Sequence, residues 1–136
     1  MSILLAADHA GFALKEAIRK NSGRSMRDLT PKLVPGDDYP KAAKKLTSAM
    51  KKADRGILIC GSGVGMCIAA NRKKGIRAMV GHDEAEVRKA REHNDVNVLC
   101  LSGWNTPPAK ALKLINAFLT TKAATAERHR RRLKQL

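Results

Sequence analysis

Short apolar runs alternate with amphipathic stretches along most of this chain. A short apolar run closed by glycine or a polar residue is typical of a strand buried in a parallel sheet. Apolar residues three or four positions apart indicate a helix with one buried face. The pattern predicts strands at about residues 3–7, 26–29, 56–60, 76–80 and 96–101. It predicts helices at about residues 11–20, 42–50, 66–72, 83–92, 109–119 and 123–136, of which the last is basic.

Because strands and helices alternate, the connections are expected to be right-handed βαβ crossovers. The expected fold class is α/β: a three-layer, Rossmann-like fold with a five-stranded parallel sheet and helices on both faces. No repeat, low-complexity tract or linker interrupts the pattern, so residues 1–136 are expected to form a single domain. Ligands of such sheets bind beyond the carboxyl ends of the strands, where the strand order reverses. Residues that follow the predicted strands are therefore the first candidates for a functional site.

The composition is that of an ordinary globular protein, with 43% hydrophobic and 29% charged residues. No apolar run reaches the roughly 18 residues that a membrane span requires. The N-terminal run meets Asp8 and His9 before it reaches the length of a signal peptide. Three cysteines are too few for a disulfide framework. We therefore expect a soluble cytoplasmic protein with no membrane partner.

The charge balance is unusual, since 27 Lys and Arg residues face 12 Asp and Glu residues and give a net charge of +15. Such an excess attracts polyanions or an anionic ligand. Nucleic acid is not the favoured partner, because aromatic side chains, which stack on bases, make up only 3% of the chain. Arg128 and Arg132 lie four residues apart on the predicted last helix and so share one face. They could grip one phosphate together, or belong to a solvated or nucleic-acid-binding tail.

Cys60 is the strongest candidate for chemistry. It ends the clearest strand and leads through Gly61, Gly63 and Gly65 into a predicted helix. Backbone N–H groups and the positive end of the dipole at a helix N-terminus favour a thiolate. A thiolate there can act as a base or as a nucleophile. The glycine amides can also cradle a phosphate or an oxyanion.

The glycine loop matches neither of the common nucleotide-binding patterns. The sixth position of a dinucleotide fingerprint would be glycine or alanine, and here it is Met66. The loop also lacks the Lys-Ser/Thr pair of a P-loop. Cys67 and Cys100 are interpreted as small buried apolar residues, which is the common role of a free cysteine.

Two of the four histidines occupy positions of interest. His9 follows the first strand beside Asp8, at the sheet edge where ligands bind, and His93 lies between a helix and the fifth strand. We interpret His82 and His129 as structural or surface residues. No spacing of His, Asp or Glu matches a metal site, so metal-free chemistry is expected.

Together these segments resemble the type B ribose-5-phosphate isomerase family, which includes the galactose-6-phosphate isomerase subunits. The resemblance follows the chain in order over nearly its whole length, and the Cys60 loop and His93-Asn94 are its most specific parts. The matching segments are residues 8–12, 14–15, 38–40, 54–66, 68–71, 75–78, 82–83, 90–95, 97–99, 117–119 and 128–129.

The resemblance implies an aldose–ketose isomerase that uses neither a metal nor a cofactor and acts through an enediolate. The expected substrates are ribose 5-phosphate and ribulose 5-phosphate of the pentose phosphate pathway. A tetrose or hexose phosphate is the alternative within this class, and nucleic-acid binding on the same scaffold is the alternative outside it. The resemblance also implies a homodimer or a dimer of dimers, with sites between subunits.

The resemblance further implies a role for each candidate residue. Cys60 would move the proton between two sugar carbons, and His93 would help to open the sugar ring. The amides of the loop and the Ser62 hydroxyl would hold the enediolate oxygen. The remaining contacts would be made by Asp8 and Asn94 to sugar hydroxyls, by His9, Arg128 and Arg132 to the phosphate, and by the loop residues Gly61, Gly63, Val64 and Gly65.

One departure from the family pattern bears on the substrate. Relatives commonly have an arginine shortly after the fifth strand, where this chain has Ser102-Gly103-Trp104-Asn105. The loss of that cation would weaken phosphate binding, or the ring of Trp104 would shape the site for a different sugar.

Overall fold

The computed structural model describes residues 1–136 as five strands and six helices. The strands are β1 (Ile3–Ala7), β2 (Arg27–Asp28), β3 (Arg55–Cys60), β4 (Ala78–Val80) and β5 (Val98–Ser102). The helices are α1 (Phe12–Asn21), α2 (Tyr39–Ala49), α3 (Val64–Asn71), α4 (Glu84–Asn94), α5 (Pro108–Thr120) and α6 (Glu127–Leu133). All strands are parallel, in the order β2-β1-β3-β5-β4. The predicted α/β fold with a five-stranded parallel sheet is confirmed.

Each face of the sheet has its own apolar core. Ile57 and Ile59 of β3 point into the core formed with α1, α4 and α5, which contains the fully buried Phe118. Leu58 and Cys60 point into the core formed with α2 and α3, which contains Leu46. Because both faces are covered, the strands read as continuous apolar runs rather than alternating ones.

Side chains supplement the short β2 strand. Lys15 of α1 is fully buried, and its ammonium donates to the Asp28 carboxylate at 2.6 Å and to the Thr30 carbonyl at 2.7 Å. The Thr30 hydroxyl in turn accepts the Ala7 N–H at 2.9 Å. These bonds fix the segment that leads from β2 toward Asp37, a residue of the site described below.

The element boundaries differ from the predicted ones where local hydrogen bonds replace regular pairing. β4 begins at Ala78, because the Arg77 N–H is taken by the Asn97 side chain at 2.8 Å. α6 begins at Glu127 rather than near 123, because Ala124 donates to the Glu92 carbonyl at 2.8 Å before the helix starts. α4 begins at Glu84 rather than at 83, because Asp83 caps the helix and its carboxylate accepts the N–H groups of Ala85 and Glu86.

The strand order reverses between β1 and β3, which places the expected ligand position there. Asp8 and Cys60 stand at this point, at the carboxyl ends of the two strands. α1 approaches β3 closely, since a Cβ on Gly11 would overlap the carbonyl oxygen of Ile59. No helix is both long and apolar enough to cross a lipid bilayer.

Candidate active site

Three neighbouring strands bring polar side chains to the carboxyl edge of the sheet. Cys60 of β3 and Ser102 of β5 are direct partners in the strand register. Asp8 follows β1, and its N–H donates to the Ile59 carbonyl at 3.2 Å. Asp8 and Cys60 are both buried, at 5% and 4% exposure. This edge therefore holds a carboxylate and a thiol side by side at the strand-order reversal.

The Cys60 thiol lies at the N-terminus of α3. Its Sγ accepts the Gly63 N–H at 3.2 Å. Gly63 caps the helix with φ +82°, a left-handed conformation that favours glycine. The sulfur therefore faces a backbone N–H donor and the positive end of the α3 dipole. The geometry therefore suits a sulfur that gives up and takes back a proton.

Ser62 stands exposed at the tip of the same loop. Its Oγ accepts the Val64 N–H at 3.2 Å, so its own hydroxyl proton is free to donate. The first turn of a helix also leaves N–H groups without an intrahelical acceptor. The loop therefore presents several donors toward any anion beside the sulfur.

The loop is held from two sides by its neighbours. Gly61 accepts hydrogen bonds from the Ser102 hydroxyl at 2.6 Å and from the Trp104 N–H at 3.1 Å. The indole ring of Trp104 lies against Gly61, where a Cβ would overlap it, yet Trp104 remains 72% exposed. On the other side, a Cβ on Gly65 would lie 2.7 Å from the ring of Tyr39. Close contacts thus require the glycines at positions 61 and 65. Trp104 forms an exposed rim above residues 60–65, which we call the thiol loop.

His9 is tied to Asp37, which the sequence analysis did not identify. Asp37 accepts the His9 N–H at 2.8 Å, and the same oxygen lies 3.0 Å from the His9 Nδ1. The hydrogen bond from the ring to Asp37 raises the pKa of His9 above its ordinary value of 6.5. This bond leaves Nε2 of the half-exposed ring free to donate to an anion.

Asp8, His9 and Asp37 are also the one group whose metal-ligating atoms cluster within 4.8 Å of one another. The oxygens already accept N–H groups, since Asp8 takes that of Gly11 at 3.0 Å and Asp37 takes those of His9. These bonds hold the three side chains together at the carboxyl edge of the sheet.

His93 and Asn94 lie at the opposite edge of the sheet. α4 ends at Asn94, and the chain then enters β5 at Val98, while Cys60 pairs with Ser102 at the far end of that strand. Five residues of strand span roughly 13 Å. The structure therefore does not bring His93 and Cys60 of one chain together. The candidate residues fall into two groups, the first around Cys60 and the second around His93 and Asn94.

His129 supports His93 within the second group. The two imidazole rings are stacked, with centroids 4.3 Å apart and planes 10° from parallel. His129 is buried, and burial, followed by the charges of His93, Arg128 and Arg132, lowers its pKa from 6.5. His129 is thus a packed support for the His93 ring, a contact that no spacing in the sequence indicates.

Arg128 and Arg132 flank His129 on α6 and are exposed. Neither forms a salt bridge, although nine such pairs occur elsewhere in the chain. Two unpaired guanidinium groups on one helix face suit a phosphate. The second group therefore combines a histidine, an amide and an anion clamp.

Comparison with known proteins gives one consistent match. The protein-family model described as Ribose/Galactose Isomerase matches residues 3–136. A probable ribose-5-phosphate isomerase B of Mycoplasma pneumoniae is 42% identical over 123 residues, which cover 86% of this chain and 81% of that protein. The D-erythrulose-4-phosphate isomerase of Pectobacterium atrosepticum is 37% identical over 126 residues, with 88% and 82% covered.

Solved structures agree with the sequence comparison. The ribose-5-phosphate isomerase B of Mycoplasma genitalium with bound ribulose-5-phosphate superposes with a TM-score of 0.88 at 38% identity. The match covers 98% of this chain and 92% of that one.

Proposed function

Because the chain belongs to the Ribose/Galactose Isomerase family and is an aldose–ketose isomerase, we propose that it interconverts ribose 5-phosphate and ribulose 5-phosphate. The observation that carries the chemistry is the Cys60 sulfur at the N-terminus of α3, among the donors of a glycine loop. The pentose assignment is supported by the relatives named ribose-5-phosphate isomerase B and by the ribulose-5-phosphate bound to one of them. We assign the activity to the cytoplasm and to the pentose phosphate pathway.

The reaction is proposed to pass through an enediolate. The Cys60 thiolate removes the proton from C2 of the open-chain aldose and gives it to C1 of the enediolate, while the hydroxyl proton moves from O2 to O1, so that the ketose forms. Loop amides and the Ser62 hydroxyl hold the oxygen on which negative charge develops. His93 exchanges the hydroxyl proton that opens the sugar ring, and Asp8 and Asn94 bind the remaining hydroxyls. No cofactor is needed, because the proton returns to the same substrate.

The complete site is proposed to lie between two subunits. Within one chain the thiol loop and the His93 group stand at opposite edges of the sheet. A twofold axis turns the carboxyl edge of one subunit toward the amino edge of another and forms two equal sites. α3 also exposes Val64 and Ile68 by 50% and 63%, one turn apart and next to the thiol loop. That apolar stripe is a surface which a second subunit of a homodimer would cover.

The phosphate is proposed to be bound by His9 of one subunit and by Arg128 and Arg132 of the other. All three are exposed, and no carboxylate pairs with either arginine. Binding of the distant phosphate aligns the reacting carbons with the sulfur and so lowers the entropic part of the barrier. His9 contributes fully only while it carries its proton.

Replacing Asp37 with asparagine tests this role of His9. Loss of the hydrogen bond removes the main cause of the raised His9 pKa. His9 then loses its charge at a lower pH, so we expect KM at about pH 7.5 to rise about fivefold while kcat changes little. At low pH His9 carries its proton in both proteins and binds the phosphate in both. KM of the two proteins should therefore converge toward pH 6. Asp38→Asn, a neighbouring acidic residue paired with Lys41 at 2.9 Å, is the matched control. A KM profile unaltered by Asp37→Asn would contradict the role of His9.

The choice of substrate is tested by a panel of four-, five- and six-carbon sugar phosphates assayed with a chelator present. We expect the highest kcat/KM for ribose 5-phosphate, and turnover that is insensitive to the chelator. A higher value for a tetrose phosphate would replace the pentose assignment and would identify the Trp104 rim as a device that favours the shorter sugar. Trp104→Ala, measured on the same panel, shows whether the ring sets that order.

A further inference from the structure

A basic cavity of about 450 Å³ opens at the amino edge of the sheet, away from the thiol loop. Its walls come from the turn before β3, from the turn after α3, from the turn before β5 and from Leu133 of α6. Five cationic side chains line it: Lys51, Lys52, Lys73, Lys74 and Arg77. None of its lining residues belongs to the proposed isomerase site.

The charges in this cavity are poorly compensated. None of the four lysines forms a salt bridge, and the contact found for one ammonium is the Thr47 carbonyl, 3.0 Å from Lys73. The single carboxylate of the lining, Asp95, is already paired with Arg77 at 2.8 Å and with Arg91 at 2.7 Å. Four lysines without a salt bridge around one concavity attract a multiply charged anion.

We propose that this cavity binds a polyphosphate chain, either inorganic tripolyphosphate or the phosphates of a nucleoside triphosphate. A volume of about 450 Å³ matches a small ligand rather than a polymer. The lining has no aromatic residue on which a base could stack, so recognition rests on the phosphates. Several ammonium groups and one guanidinium can each donate charge-assisted hydrogen bonds to the chain.

Arg77 links this cavity to the second group of site residues. Its Nε donates to the carbonyls of Asp95 at 2.9 Å and Asn94 at 3.2 Å. Asp95 has φ +44° and is the only non-glycine residue with positive φ, a conformation that needs support from its surroundings. An anion that draws Arg77 into the cavity would loosen Asp95 and the adjacent His93 and Asn94. Binding would therefore lower isomerase turnover, a consequence that rests on the proposed function.

Calorimetric titration of the full chain with tripolyphosphate, and separately with ATP, tests the site without any need for activity. We expect binding that weakens about tenfold or more in Lys52→Gln/Lys74→Gln. The control Lys110→Gln/Lys113→Gln removes the same charge from α5 and should change affinity less than twofold. Arg128→Ala, which alters the proposed binding site of the substrate phosphate, should also leave the affinity for both ligands unchanged. Equal affinity for the two ligands would show that the polyphosphate alone is recognised. Tighter binding of ATP would show that the nucleoside is recognised as well.

Three results would overturn the site. An equal loss in both double variants would show a general charge effect, and a loss in Arg128→Ala would place the anion in the substrate site. Tighter binding of an RNA oligomer through the same lysines would make the surface a nucleic-acid site instead. The coupling is read separately: kcat/KM should fall at saturating tripolyphosphate in the wild type and not in Lys52→Gln/Lys74→Gln. Unchanged wild-type turnover at saturation would contradict the link through Arg77.

Discussion

Replacing Cys60 with alanine should lower kcat by about 10³-fold or more while the protein stays folded. A positioned base contributes 10²–10⁴ to the rate of a proton transfer, and no other ionisable side chain of the loop can replace it. The sulfur is buried and bonded to the Gly63 N–H, so its removal leaves a small cavity that costs stability about 1 kcal/mol. The variant should therefore keep its circular dichroism spectrum and its unfolding transition.

The direct readout is the entry of solvent deuterium into the substrate. An enediolate passes its proton through the base, which exchanges with water, so the wild type should incorporate deuterium at the carbon bearing the transferred proton. Cys60→Ala should abolish both incorporation and turnover. Cys67→Ala is the matched control, because it deletes a thiol one turn into the same helix, at a residue outside the proposed site. A hydrogen bond with Cys100 lowers the pKa of the Cys67 thiol to about 7, so this control also removes an ionisable sulfur. Full turnover by Cys60→Ala, or loss of turnover in Cys67→Ala, would contradict the assignment of the base.

Much of the fold was predictable because its signals are local. Apolar runs such as Ile57–Ile59 are buried on both faces, and continuous burial is what a parallel sheet imposes on sequence. Asp83 caps α4 through its own side chain, so the start of that helix is encoded within four residues. The helix and strand boundaries that differed from the predicted ones depend on partners far along the chain. One example is the hydrogen bond from the Ala124 N–H to the Glu92 carbonyl.

The thiol loop and the position of Asp8 and His9 after β1 were predictable for the same reason, whereas the tertiary contacts that support the site were not. A strand, three glycines and a helix are contiguous in sequence, so Cys60 could be placed at the helix N-terminus directly. Asp37 reaches His9 across 28 residues, and His129 stacks on His93 from another helix. Such contacts leave no spacing pattern, because they are set by tertiary packing alone.

The sequence does not show where the excess positive charge lies in the folded protein. Lys41 is a solvated cation on a helix surface, where it is paired with Asp38. Lys51, Lys52, Lys73 and Lys74 come from two separate turns, yet they line one cavity. Their convergence follows from the parallel order of the strands, which brings the turns at the amino edge together.

We infer that each active site takes its sulfur from one chain and its imidazole from another. Within a chain, Ser102 is the register partner of Cys60, whereas His93 precedes the other end of the same strand. Cys60→Ala and His93→Ala should each lower turnover by about 10²-fold or more as homodimers. A mixed dimer of the two variants then has one site that carries both changes and one site that carries neither.

The measurement that tests this claim is the turnover of that mixed dimer, purified through two different affinity tags on the two chains. The rate per dimer should be about half of the wild-type rate, since one of two equivalent sites is restored. A dimer of wild type and Cys60→Ala should give the same value and serves as the reference. A mixed dimer as inactive as its two parents would show that Cys60 and His93 act within one chain, and would contradict the account.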